Sequence, residues 1–182
     1  MRKLKRFSRN TINMFSWVIP GKIAGSHKPR SLEEINDWIN QGIKAVVVLE
    51  ERHRRIIDVD ALSKYFDVLE TPIKDFNTLT INEINTITKW IDEKIKGNKS
   101  VVVHCGTGLE RTGVIIASYL VSVGWRPEDA INYVRRKRPG SIETEDQEKV
   151  VYNYYKALRN NKAILFHFYK LAHLYISHTS KT

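Results

Sequence analysis

Val101-Val-Val-His-Cys-Gly-Thr-Gly-Leu-Glu-Arg-Thr-Gly113 decides the fold, because a β-branched run passes through a glycine-containing loop directly into a helix start. Val101 to Val103 read as a buried strand, and Gly106 and Gly108 allow a tight backbone path. Arg111-Thr-Gly-Val-Ile-Ile-Ala-Ser-Tyr-Leu120 then opens a helix whose first N–H groups have no intrahelical partner. A concave row of amides at a helix N-terminus favours negative charge. Gly106, Thr107, Gly108, Leu109, Glu110 and Arg111 are therefore expected to hold a phosphate or another oxyanion. The same field favours the thiolate of Cys105, a competent nucleophile, and Arg111 offers a planar fork for two oxygens.

Outward from that loop, strands and helices alternate. Phe15 to Gly25 reads as two short strands hinged at Pro20-Gly21. Ser31-Leu-Glu-Glu34 is a capping-box pattern ahead of a helix with Ile35, Trp38 and Ile39 on one face, stopped by Gly42. Lys44 to Glu50 is a strand buried on both faces, followed by Glu51-Arg-His-Arg-Arg55, which reads as a solvated loop, or as a basic segment touching substrate if it lies near a phosphate pocket. A helical segment at Ala61 to Tyr65, a strand at Val68 to Ile73 and a polar loop at Lys74 to Leu79 come next. Thr80-Ile-Asn-Glu83 opens a capped helix striped by Ile84, Ile87, Ile91 and Ile95 and ended by Gly97. Beyond the central loop, Pro127 starts another helix whose basic end, Arg135 to Arg138, suits the macrodipole. Thr144-Glu-Asp-Gln147 caps a last one through Val150, Val151, Tyr154, Tyr155 and Leu158. The expected class is α/β: a single-domain sandwich with a central, mostly parallel sheet flanked by helices, where ligands collect beyond the strand C-termini.

The 182 residues, 42% of them hydrophobic, suffice for one substantial core. With 30 basic and 20 acidic residues the net charge is +10, which favours anionic partners without choosing among them. One cysteine excludes an internal disulfide and suits a reducing compartment. Neither a signal peptide nor a membrane-length apolar run is read, so the expected location is the cytoplasm. Residues 1–14 form a basic N-terminal extension, read as a solvated terminus rather than a nucleic-acid arm.

Phosphoryl transfer to sulfur needs an acid for the leaving oxygen, on a loop beside the pocket. Asp75, after the strand ending at Ile73, fits that place; on local sequence it is equally an ordinary loop aspartate. His104 either orients the loop or is a satisfied core histidine, and Thr112 sets a hydroxyl where it can reach the sulfur.

His104-Cys-x5-Arg-Thr-Gly113, with its flanking strand and helix, resembles the protein tyrosine and dual-specificity phosphatase superfamily. Phe15 to Gly25, Pro72-Ile-Lys-Asp-Phe76 and Arg138-Pro-Gly-Ser-Ile-Glu-Thr-Glu-Asp-Gln-Glu148 look like the small VHZ-type dual-specificity phosphatases and archaeal protein tyrosine phosphatases. The resemblance covers residues 15–158, the expected catalytic domain. It implies that Cys105 becomes a phosphocysteine, that Arg111 binds phosphoryl oxygens, and that Asp75 acts as general acid and then base. It also implies no metal and no cofactor, and assigns Glu143 and Gln147 to a second loop bordering the pocket. Gln147 is a candidate for positioning water, with the helix cap as its other reading. Glu110 departs from the usual small or neutral residue at its position; it points outward, pairs with Arg111 or a loop lysine, or serves as another acid.

Residues 159–182 are a C-terminal helical extension with a stripe of Ile164, Phe168, Leu171, Ala172 and Tyr175. The expected function is hydrolysis of phosphotyrosine, and of phosphoserine or phosphothreonine, in phosphorylated proteins. The alternatives are a 5′-phosphatase or triphosphatase acting on RNA, which would make nucleic acid a partner, and a phosphate-recognition module without turnover.

Overall fold

The structure, a computed structural model, describes residues 15–73 and 79–160. Asp75 and both terminal extensions up to residue 14 and from residue 161 lie outside the described residues. In chain order the elements are β1 (Ser16–Ile19), β2 (Ile23–His27), α1 (Leu32–Asn40), β3 (Ile43–Val48), α2 (Val59–Leu62) and β4 (Asp67–Glu70). They continue with α3 (Ile81–Lys96), β5 (Ser100–Cys105), α4 (Glu110–Ser122) and α5 (Pro127–Lys137). A sixth helix, α6, occupies 145–160.

The strand order β1-β2-β5-β3-β4 puts β5 at the centre of the five-stranded sheet. It pairs in parallel with β2 on one side and with β3 on the other. Only β1 runs antiparallel, joined to β2 by a turn through Gly21. The central position explains the β-branched run: alternate side chains of β5 enter opposite cores. Val101 and Val103 pack among Ile84, Ile91, Ile115, Ile131 and Tyr154 from α3 to α6. Val102 faces the other way, to Ile35, Trp38, Leu62 and Phe66. Burying each valine contributes about 1.5–3 kcal/mol.

Helix starts follow the expected residues, with differences in detail. Thr80 and Glu83 form the full reciprocal capping box. At α1 only half of it exists: Ser31 accepts the Glu34 N–H at 3.4 Å, while the Glu34 carboxylate accepts from the Arg30 N–H at 2.8 Å. Thr144 likewise accepts from the Gln147 N–H at 3.3 Å, without the return bond. The Glu51 to Arg55 segment contains an exposed 3-10 turn, Arg52–Arg54, with Glu51 and Arg55 half-buried at its ends. The Arg55 side chain is buried, donates to the Glu50 carbonyl and pairs with Glu70 at 2.8 Å. A strand-end carbonyl and a carboxylate are there to receive it, so the solvated-loop reading fails at that residue.

Candidate functional site

β5 ends at Cys105, and α4 begins at Glu110, so the loop between them lies at the C-terminal edge of the parallel strands. Cys105 is buried, with two donors aimed at its sulfur. The Gly108 N–H reaches Sγ at 3.3 Å and the Thr112 hydroxyl at 3.2 Å. The loop curls because Gly108 adopts φ +78°, and a Cβ there would sit 2.4 Å from the Ser26 carbonyl carbon and oxygen. Glycine is therefore required twice over, by conformation and by the approach of β2. Lys28, just after β2, closes the contact from its backbone N–H to the Gly106 carbonyl at 3.4 Å.

Beneath this loop lies a residue that the sequence reading placed on a helix end as a macrodipole partner. Arg138 is only 1% exposed. Its guanidinium donates to the Gly25 carbonyl at 2.6 Å, to the Gly108 carbonyl at 2.8 Å and to the Ser16 hydroxyl. Burial lowers its pKa to about 10, opposed by the charge of Cys105, so it stays cationic at neutral pH. Gly25 lacks a side chain for the same reason: a Cβ there would lie 2.7 Å from Arg138 Nε. The only sequence hint was an arginine before Pro139-Gly140, which stops the helix and turns the chain back under the loop.

The opposite wall is built from the ends of β3 and β4. Arg111 Nη1 donates to the Ile73 carbonyl at 2.6 Å and to the Leu49 carbonyl at 3.3 Å. Its Nη2 lies 3.7 Å from Glu50 Oε2. Glu50 is 1% exposed, and Oε2 has no hydrogen-bond partner among the described residues. In the sequence Glu50 marks only the end of a strand; a carboxylate closing an apolar β-run is the available signal. A cleft of about 500 Å³ opens between floor and wall, lined by Lys28, Glu50, Arg54, Cys105, Gly106, Thr107, Glu110 and Arg111.

Cys105, Thr112 and the loop through Arg111 are thus brought together as expected. Glu110 lines the cleft, exposed, in the first turn of α4, where its charge suits the helix dipole. Its side chain makes no hydrogen bond or ion pair with another described residue. His104 is buried, its ring 5.7 Å from that of Trp38. Burial depresses its pKa to about 3, with the Cys105 backbone offsetting part of the effect. Neither ring nitrogen makes a hydrogen bond of normal geometry to a described residue. Gln147 is not among the residues lining the cleft, and its buried Oε1 has no described partner. Among the described residues, no group of three or more His, Cys, Asp or Glu could hold a metal ion. No described helix is long and apolar enough to cross a membrane.

Residues 12–151 match the family described as "PTP-SAK: Swiss Army Knife protein, DSP-PTPase phosphatase domain". Protein tyrosine phosphatase domain-containing protein 1 of Mus musculus is 30% identical over 151 residues, covering 72% of this chain and 20% of that protein. The chain thus spans about a fifth of that relative's length. The RNA/RNP complex-1-interacting phosphatase of Rattus norvegicus is 32% identical over 117 residues, covering 63% of this chain and 35% of the rat protein. Among solved structures, Tk-PTP in its active form superposes with a TM-score of 0.72 at 32% identity, covering 78% of this chain and 96% of that one. The chain therefore belongs to the PTP-SAK family of DSP-PTPase phosphatase domains.

Proposed function

We propose that residues 15–158 form a cysteine-dependent protein phosphatase domain that hydrolyses phosphotyrosine, and phosphoserine or phosphothreonine, through a phosphocysteine intermediate. The observation that carries this reading is the pair of donors on Cys105 Sγ at the floor of a cleft also lined by Arg111. Two hydrogen bonds pointed at a sulfur suit a thiolate, and the loop amides and Arg111 supply the charge that a transferring phosphoryl group needs. The thiolate forms the S–P bond as the ester P–O bond breaks, and protonated Asp75 gives its proton to the departing oxygen. Water then attacks phosphorus, the S–P bond breaks, and the Asp75 carboxylate takes the water's proton. Gln147 is the candidate for orienting that water. Thr112 stabilises the thiolate again as it leaves. The cytoplasm is the proposed location, on the ground of the single unpaired cysteine.

The test is a substrate panel: phosphotyrosine and phosphoserine peptides, inositol phospholipids and triphosphate-ended RNA, with wild type and Cys105→Ser in parallel. Phosphotyrosine turnover that falls about 10⁴-fold or more in Cys105→Ser is expected. Residual turnover near wild type would overturn the nucleophile. Asp75→Ala should selectively slow esters with poor leaving groups and accumulate a phosphoryl adduct on Cys105. If Glu110→Ala alone did so, the acid would be Glu110.

The rat relative's printed name, with the net charge of +10, favours one second reading, action on RNA 5′-phosphates. RNA turnover with a KM that rises steeply with salt would support it, and a salt-insensitive KM would count against it.

A further inference from the structure

We propose that Lys28 forms a second anion subsite at the mouth of the cleft, selecting phosphopeptides that carry a carboxylate or a second phosphate beside the phosphorylated residue. The inference rests on the protein-phosphatase reading and adds a specificity-determining residue to it. Lys28 lines the same cleft as Cys105 and Arg111. Its position is built at both ends of the residue. The backbone N–H is tied to the loop carbonyl of Gly106 at 3.4 Å, and the ammonium donates to the Arg54 carbonyl at 2.5 Å. A lysine normally loses much rotamer freedom when it binds a charge; here a carbonyl already holds the head, so less remains to be lost.

One of the three ammonium donors is thus used, by a neutral group. No described carboxylate pairs with Lys28. The nearby acids are engaged elsewhere or stand apart: Glu34 with the Arg30 N–H and His27, Glu50 beside Arg111, Glu110 without a described partner. A fixed cation without a described counter-ion, facing an anion-binding loop across about 500 Å³, has room for more than one phosphoryl group. An anionic neighbour on the substrate would supply the missing partner.

The readout is the ratio of kcat/KM for two phosphotyrosine peptides, one flanked by glutamates and one by glutamines. It is measured on wild type, Lys28→Ala, Lys28→Glu, Lys28→Arg and Lys96→Ala. A ratio cancels any shared loss of folded enzyme. Wild type should prefer the acidic peptide by about fivefold, a preference shrinking with added salt. The ratio should approach one in Lys28→Ala, invert in Lys28→Glu and persist in Lys28→Arg. Lys96, exposed at the end of α3 and paired with Asp92, controls for net charge. An unchanged ratio in Lys28→Ala, or an equal fall in Lys96→Ala, overturns the subsite. If wild type hydrolyses no peptide, the protein-substrate reading falls instead. The subsite is then judged by the same ratio for a phenylene bisphosphate over phenyl phosphate, with an unchanged value in Lys28→Ala again overturning it.

Discussion

The two sides of the cleft differ in how much of their bonding capacity is already used. On the floor, the Cys105 sulfur accepts two bonds, the Gly108 carbonyl is taken by Arg138, and Gly108 itself is wedged against Ser26. On the wall and at the mouth, Glu50 Oε2 has no described hydrogen-bond partner and only Arg111 Nη2 at 3.7 Å beside it, Lys28 has no described counter-ion, and the exposed Glu110 side chain has no described partner. Such a division assigns geometry to one side and selection to the other. A floor whose sulfur and Gly108 carbonyl are already paired does not reorganise during reaction, and that is where electrostatic stabilisation is most effective. A mouth whose Lys28 and Glu110 have no described counter-ion responds to whatever enters.

The harshest way to break this contrast is at Arg138. Arg138→Met removes the donor from two buried carbonyls, each costing about 1–3 kcal/mol when left unpaired. A fall in Tm of about 10 °C is expected for a chain of this size, measured by calorimetry. The folded remainder should turn over about 10²-fold more slowly, because the loop loses its register. Arg138→Lys should recover little of either, since an ammonium cannot span the same acceptors. Wild-type stability and turnover in Arg138→Met would mean the floor is held by something else.

A milder probe sharpens the contrast from the wall. Glu50→Gln keeps the shape and removes a negative charge that faces the bound anion. Inorganic phosphate should then inhibit about fivefold more tightly, while kcat falls as Arg111 loses the carboxylate charge 3.7 Å from its Nη2. Unchanged or weaker phosphate inhibition would remove Glu50 from the wall's electrostatics.

At neutral pH the smallest effect belongs to His104, whose signature appears only in acid. Its pKa is about 3 in the folded protein against 6.5 for an unperturbed histidine. The unfolded chain therefore binds a proton that the folded chain does not. The contribution of His104 to stability is complete above pH 6.5 and is lost as pH falls toward 3. Urea titrations across that window should show a shallower acid loss for His104→Phe than for wild type, by up to about 1.4 kcal/mol per pH unit. Parallel curves would show that the ring protonates without opening the core.

Much of this was legible in the residues. Val101 to Val103 announce a central strand because only a strand covered on both faces tolerates unbroken β-branched side chains. Thr80 and Glu83, or Pro127, mark helix starts because the signals are local. The loop with Cys105 and Thr112 was readable for the same reason. Glu50 and Arg138 were not, because their roles depend on partners far along the chain. Arg138 in sequence is one of several cations at the end of α5; its place before Pro139-Gly140 sets it apart from Arg136 without revealing its partners. Arg55 was misread as solvated for want of Glu70, which only the parallel pairing of β3 with β4 brings near.

The Arg138 strut also bears on the order of assembly. Its bonds to Gly25 and Ser16 join residues 113 and 122 positions apart, and even Gly108 lies 30 positions earlier. Contacts of such separation carry a large loop-closure cost and depend on the later segment being in place. A chain emerging from the ribosome would thus present its whole signature loop before the guanidinium that braces it is free to dock. Until α5 has docked, the loop has its sequence without its support, so maturation of the site is tied to the C-terminal third of the fold.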